Sequence, residues 1–343
     1  MSLDKILLGH GSGGRLMHQL VREHFAPAFS IEELGDSAVI DISLSGICEQ
    51  GARLAFTTDS YVVSPLFFPG GNIGELAVNG TVNDLAMVGA KPLYLTAGFV
   101  IEEGFSAPEL EKILFSMAAA AKNAGVKVVA GDTKVVDKGK GDGIFINTAG
   151  VGVVHPSVDL SAKNIAPGDA VIVSGFIGDH GIAVMAERNG LTFDPPVLSD
   201  TAALNGLTAA MLKCVPDLKA MRDPTRGGVA TTLKELALEA GVCIVIDEKA
   251  LPITGGVRGA CELLGLDPLY VANEGILIAV VPQDSAGALL AEMKRHPLAR
   301  NSAVIGRAGG ADSGKPGTVL LKTSIGGSRI IDMLQGEQLP RIC

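Results

Sequence analysis

Several aspartates are placed where they could share work. Asp36 precedes the apolar run Ala38–Ile42, Asp59 follows Leu54–Thr58, and Asp132 follows Val126–Ala130. Asp84 instead falls on a predicted helix, Ile73–Val88, together with Asn79 and Asn83. Carboxylates at strand ends and on a neighbouring helix can converge on one crevice and hold a hard divalent cation. Magnesium takes oxygen ligands and bridges to substrate phosphates, so the pattern reads as a magnesium–nucleotide site. Aspartates after strands also act as helix caps and turn formers, and the residues alone leave that alternative open. Near the N-terminus, Gly9-His10-Gly11-Ser12-Gly13-Gly14-Arg15 is a glycine loop whose successive N–H groups could cradle phosphates. No Gly-Lys-Ser/Thr follows, so it is not a Walker loop, and too little chain precedes it for a dinucleotide-binding strand. A flexible terminal turn is the alternative.

Asp223-Pro224-Thr225-Arg226-Gly227-Gly228 stands just before the predicted helix Val229–Ala240. Free N–H groups at a helix start, a guanidinium and a hydroxyl together make an anion or carboxyl-group site. Capping by Asp223 or Thr225 would explain part of this segment, but an Arg between cap and glycines is more than capping needs. Lys134, two residues beyond Asp132, and Glu274, in Asn273-Glu274-Gly275, are polar groups at strand edges. Such residues taken singly are usually solvated. The histidines show no metal-ligand spacing and read as ordinary. Gly175, Gly178 and Gly181 read as close-packing glycines after the strand Ala170–Ser174.

The last residue is a cysteine, Cys343, at the end of a stretch without periodicity that reads as a mobile tail. A thiol on a free end can visit both a partner and the protein's own cleft. Extended at ~3.3 Å per residue, the chain beyond Pro316 could span tens of ångströms. The terminal carboxylate should raise the thiol pKa above the ~8.5 reference, with Arg341 partly offsetting it. That suits a carrier thiol activated at a partner or on docking. Cys48, Cys214, Cys243 and Cys261 lie in or beside apolar segments and read as packing residues.

Helical and strand patterns alternate, which predicts a mixed α/β protein. The clearest helix is Pro108–Ala124, with a Ser106/Glu109 capping box at its start and Gly125 at its end. A strand follows at Val126–Ala130, and a similar helix–glycine–strand unit recurs at Thr232–Ile246. The linker Pro156–Gly168 divides an N-terminal domain, 1–156, from a C-terminal α/β domain, 168–310. Residues 311–343 read as an extension ending in the mobile tail. A chain of 343 residues favours two domains at roughly 150 residues each.

With 28 basic against 37 acidic residues the net charge is −9, the wrong sign for nucleic-acid backbone binding. With no Trp and only 3 Tyr, the chain also lacks a stacking platform for single strands. The longest apolar run, Pro92–Ile101, is too short to span a membrane and reads as a buried strand. Scattered cysteines without a CxxC pair, and an N-terminus unlike a signal peptide, fit a reducing cytoplasm.

Taken together, the Gly9–Arg15 loop, Gly35–Ala38, Thr57–Ser60, Asn79–Met87, Gly131–Lys134, Asp223–Gly228 and the Pro340-Arg341-Ile342-Cys343 end are familiar. They resemble the HypE family of hydrogenase maturation proteins, in the superfamily of aminoimidazole ribonucleotide synthetase and selenophosphate synthetase. The resemblance implies a two-domain PurM-like fold whose N-terminal domain forms a homodimer, with ATP and Mg²⁺ near the interface. It implies that a HypF-type carbamoyltransferase loads a carboxamide onto Cys343 and that ATP drives its dehydration to a thiocyanate. The cyano group would then pass to iron on a HypC–HypD complex, as a ligand of the [NiFe]-hydrogenase centre. By position Asp36, Asp59, Asp84 and Asp132 match the Mg–ATP aspartates. Asn83, Gly11, Gly13 and Gly14 join the nucleotide site, and Lys134 and Glu274 match a polar pair near the docked tail. Asp223, Thr225, Arg226 and Gly227 would line the tail cleft. A selenophosphate synthetase is disfavoured because Gly9–Arg15 contains no cysteine, and a non-catalytic thiol carrier is the alternative from another class.

Overall fold

Alternating burial along extended segments builds the first of two sheets. The structure, a computed structural model, describes residues 15–20, 22–23, 38–41, 51–310, 314–334 and 339–343. After a short helix, α1 (Arg15–Leu20), come β1 (Ala38–Asp41), β2 (Arg53–Tyr61) and a small hairpin, β3 (Phe67–Phe68) with β4 (Gly71–Asn72). Helix α2 (Ile73–Met87), β5 (Ala90–Glu102), α3 (Ala107–Ala124), β6 (Lys127–Val136) and β7 (Ile144–Val154) complete this half. The strand order is β1-β2-β7-β5-β6. Only β5 and β6 among these neighbours run parallel, as the crossover through α3 requires. Helices α2 and α3 cover one face, where Ile73, Leu76 and Ile113 pack with Leu95, Ile144 and Ile146. On the other face Phe56, Tyr94 and Val100 are exposed.

The second half comprises β8 (Ala170–Val173), α4 (Asp179–Asn189), α5 (Asn205–Cys214), β9 (Ala220–Arg222), α6 (Gly228–Ala240) and β10 (Cys243–Asp247). It continues through α7 (Gly255–Leu264), β11 (Ile278–Val281), α8 (Gln283–Arg295), β12 (Ala303–Gly309), β13 (Val319–Lys322) and β14 (Ser328–Ile331). The sheet order is β14-β13-β10-β12-β8-β11-β9. Helix α6 covers one face, placing Val229, Leu233 and Leu236 against Val171, Val173 and Ile278. Helices α5 and α8 cover the opposite face through Leu207, Met211, Leu289 and Met293. Strands β8 and β11 are buried throughout because both faces are covered, which is why they read as continuous apolar runs.

Two sequence expectations change. Asp59 lies inside β2 and Asp132 inside β6, because the ladders continue past the apolar portions; Asp59 still pairs across to Thr148. Residues 319–331, read as part of an extension, join the second sheet, with β13 parallel to β10. Residues 339–343, the end of the tail, are docked, with Ile342 and Cys343 buried. Among the described residues no helix is long and apolar enough to cross a membrane.

Helix α2 positions much of the site. Thirteen of its residues are buried, so it is enclosed on nearly every side rather than amphipathic. Asn72 caps it, accepting from Gly74 N at 2.9 Å and Glu75 N at 3.4 Å, while its amide donates to Ser116 Oγ on α3 at 2.7 Å. Asn72→Ala removes the cap and the tie to α3 together. It should cost about 1–2 kcal/mol, read as a lower midpoint in urea unfolding.

Candidate active site

The chain end lies in the cleft against the segment that follows β2. Val62 N donates to Cys343 O at 3.0 Å and Ser64 N to Arg341 O at 3.2 Å, so the end runs antiparallel to residues 62–64. Arg341 Nε donates to Val62 O at 2.8 Å, its guanidinium is ion-paired with Asp142, and it sits 5.9 Å from the Phe145 ring centroid. Ile342 is buried among the first domain's core residues. The apolar side chain anchors the end while the cysteine is carried to the charged part of the cleft.

There the sulfur meets a cluster of ionisable groups. Burial pushes the Cys343 thiol up to about 12; Arg226 opposes the shift, while Glu274, Asp59 and Asp223 add to it. The thiol is therefore protonated near neutrality and a poor nucleophile in this position. Cys343 first, then Asp59, Glu274 and Asp84, hold the Arg226 guanidinium above its ordinary value. Glu274 is 3% exposed and its Oε1 has no hydrogen-bond partner. Burial, then Asp223, Asp59 and Asp200, pushes its carboxyl well above the usual range, against the pull of Arg226. Asp200, whose Oδ1 accepts from Glu274 N at 3.0 Å, is raised to about 7 chiefly by the same desolvation, and its Oδ2 also lacks a partner.

Backbone geometry explains why these groups meet. In the DPTRGG segment the residue that caps α6 is Gly227, at φ +78°, with no side-chain cap bond. Capping by Asp223 or Thr225 is thus not what the segment does. Gly228 also has a positive φ, +59°, and a Cβ there would come within 2.6 Å of the Leu269 and Val271 carbonyl oxygens. The turn is packed against the loop carrying Glu274, and only glycine allows it. Asn273 completes the junction. Its Oδ1 accepts from Gly178 N at 2.6 Å, and its Nδ2 donates to Pro224 O at 3.1 Å. Asn83 ties the same loop to α2: its Nδ2 donates to Ala202 O at 3.0 Å and Glu274 O at 3.2 Å, and its Oδ1 accepts from Leu204 N at 2.8 Å.

Of the residues singled out in the sequence, Asp59, Asp84, Asp223, Arg226, Glu274 and Cys343 are brought into one electrostatic cluster. Thr225 accepts from Gly228 N at 3.0 Å through its carbonyl, closing the turn. Asn83 spends its amide on backbone, so here it supports the Glu274 loop rather than facing a ligand. Lys134 and Asp132 are paired with each other on the exposed edge strand β6, not with Glu274. Asp36, Gly11, Gly13 and Gly14 lie outside the described residues. Three groups were passed over: Asn273, Asp200, and His180, which the spacing test for metals dismissed. Their roles depend on backbone partners distant in sequence, which no motif marks.

Asp59 and Asp84 suit a magnesium–nucleotide. Both are hard oxygen donors, and Asp84 Oδ2 is oriented by Thr57 Oγ1 at 2.7 Å. Among the described residues no three ligand-type side chains form a ready metal cage. Such a cation would complete its shell with phosphate oxygens and water, as Mg²⁺ commonly does.

Comparison with known proteins agrees with this architecture. Residues 34–154 match the AIR synthase related protein N-terminal domain, and residues 166–317 match the C-terminal domain of the same family. The chain is 53% identical to the carbamoyl dehydratase HypE of Azotobacter vinelandii, over 97% of this chain and 96% of that protein. Its fold matches HypE in a crystal structure of the HypE–HypF complex, with TM-score 0.84 and 49% identity over 92% of this chain and 99% of the other. A crystal structure of HypE in complex with ATP gives TM-score 0.83 and 44% identity over 99% of this chain and 100% of the other. The chain belongs to the carbamoyl dehydratase HypE family of hydrogenase maturation enzymes.

Proposed function

We propose that this enzyme uses ATP to dehydrate a carboxamide carried on Cys343 Sγ, giving a thiocyanate whose cyano group is destined for the iron of a [NiFe]-hydrogenase. The observation that carries the reading is the burial of the terminal sulfur beside Arg226, Glu274 and Asp59. A free thiol is held there protonated and is a poor nucleophile, so a step that needs the thiolate is disfavoured in the cleft, whereas a carbamoylated sulfur needs no ionisation. Loading therefore belongs outside, on a HypF-type carbamoyltransferase, and the reaction belongs inside.

The balance of the reaction fits these side chains. The amide oxygen attacks the γ-phosphorus of ATP, the bond to ADP breaks, and one proton leaves the nitrogen. The C–O bond then breaks, phosphate departs with its electron pair, and the second N–H proton is removed as C≡N forms. The nucleotide would supply the phosphoryl group, and Asp59 and Asp84 would hold its Mg²⁺. Arg226 faces the reacting sulfur and stabilises negative charge developing beside it. Glu274, whose Oε1 has no hydrogen-bond partner, accepts one of the nitrogen's protons, and the departing phosphate takes the other. The docked Ile342 and Cys343 fill the cleft and keep water from the thioester-like cargo.

A homodimer completes this reading. The outer face of the first sheet exposes Tyr94 by 50% and Val100 by 39%, and edge strand β6 adds Asp132 and Lys134 beside Gly98 and Val100 on that face. A second copy across it would cover Tyr94 and Val100 and enclose the Lys134–Asp132 pair. Transfer of the cyano group to a HypC–HypD complex follows as the next step.

Intact-mass analysis tests the chemistry. Carbamoylated wild-type protein should lose one water only when ATP is supplied, and Cys343→Ala should bind ATP normally yet form no product. Water loss without ATP, or turnover by Cys343→Ala, would remove the tail from the mechanism. Glu274→Gln keeps the shape and removes the base, so turnover should fall about 10²–10⁴-fold with ATP binding retained. Tyr94→Glu places a charge in the proposed interface and should give monomers by light scattering.

A further inference from the structure

Successive carbonyl oxygens at the chain end are each met by a donor from the protein. Pro340 O accepts from Arg188 Nη1 at 2.7 Å, and Arg341 O from Arg188 Nη2 at 2.8 Å. Ile342 O accepts from His180 Nε2 at 2.8 Å, and Cys343 O from Val62 N at 3.0 Å. Arg188 Nε also donates to Ser64 O at 2.8 Å, while Ser64 N donates to Arg341 O. One guanidinium thus bridges both strands of the short antiparallel pairing, using the planar fork that lysine lacks.

His180 is fully buried, and that burial lowers its pKa to about 4. The neutral ring must carry its proton on Nε2 to face a carbonyl, which leaves Nδ1 to accept from Ser199 Oγ at 2.8 Å. Both donors project from α4, whose Gly181 gives Leu339 its seat: a Cβ there would stand 2.5 Å from Val271 Cγ1 and 3.3 Å from Leu339 Cδ1. None of these bonds uses the sulfur.

We propose that Arg188, assisted by His180, is a positioning residue that reads the backbone of the chain end and sets its register, independent of what Cys343 carries. Carbonyl bonds carry no side-chain information, so loaded and empty tails are gripped alike. A slip of one residue, roughly 3.3 Å, turns the side chains to the opposite face. The sulfur would then leave the neighbourhood of Arg226 and Glu274. The inference rests on the reading of Cys343 as a carrying arm, but its test does not require turnover.

The full-length protein is treated with iodoacetamide and the modified cysteines are mapped by peptide mass. Exposed Cys214 is the reference for reagent, and buried Cys243 and Cys261 report an intact fold. In wild type Cys343 should lag far behind Cys214. In Arg188→Ala its rate should rise at least about tenfold, as loss of charge-assisted bonds predicts, with the other cysteines unchanged. Dehydration of the loaded tail should slow while the KM for ATP stays the same, a split that general destabilisation would not give. If Arg188→Ala also exposes Cys243 or Cys261, Arg188→Lys carries the test; it keeps the charge without the fork and should still release Cys343. Protection of Cys343 equal to wild type in a folded variant would overturn the proposal. Release of Cys343 by the variant, with no ATP-dependent water loss even in wild type, would uphold the latch and overturn the dehydratase reading instead.

Discussion

The site depends on burying several carboxyl groups around a guanidinium. Among the described residues Asp59, Asp84 and Glu274 act on Arg226, and Asp223 and Asp59 act on Glu274. The low-dielectric surroundings make charged forms expensive there. Glu274 and the Cys343 thiol both shift upward for the same reason, burial.

Holding such a cluster together takes scaffolding that does no chemistry. Asn83 on α2 and Asn273 beside Glu274 spend their amides on backbone groups of loops that otherwise have no reason to meet. Asn79 adds a bond from its Nδ2 to Thr201 Oγ1 at 3.2 Å. Through these contacts α2, buried between the two halves, sets the loop at 199–204 and the Glu274 loop against the DPTRGG turn. The N-terminal helix α1 makes a separate tie to the second half, with His18 Nε2 2.6 Å from Glu235 Oε1 and Arg15 N donating to Leu334 O.

The chain end joins these parts. Its apolar residue enters the first domain's core, its carbonyls are met by α4 of the second, and its sulfur faces the charged cluster. The same five residues therefore contribute packing, backbone pairing and chemistry at once. That combination explains how a stretch without helical or strand periodicity becomes ordered: the order comes from the groove, not from local propensity.

Local signals in the sequence determined much of this protein. Ser106 and Gly125 bounded a helix that the structure finds at Ala107–Ala124, because capping and left-handed termination act within a few residues. A fully apolar run marked β8. Asp223–Gly228 was legible as the entry to α6, but the positive φ of Gly227 and Gly228 that brings it against the Glu274 loop was not. The kinds of group needed for chemistry, Asp59, Asp84, Arg226, Glu274 and Cys343, were also legible as residue types. Their convergence was not, since it follows from ladders and crossovers that pair segments more than a hundred residues apart. Nor could composition show that Lys134 would turn to Asp132, or that Arg188 and His180 would grip a chain end. Those choices rest on backbone carbonyls, which every residue possesses and no sequence distinguishes, so only the packed fold could make them.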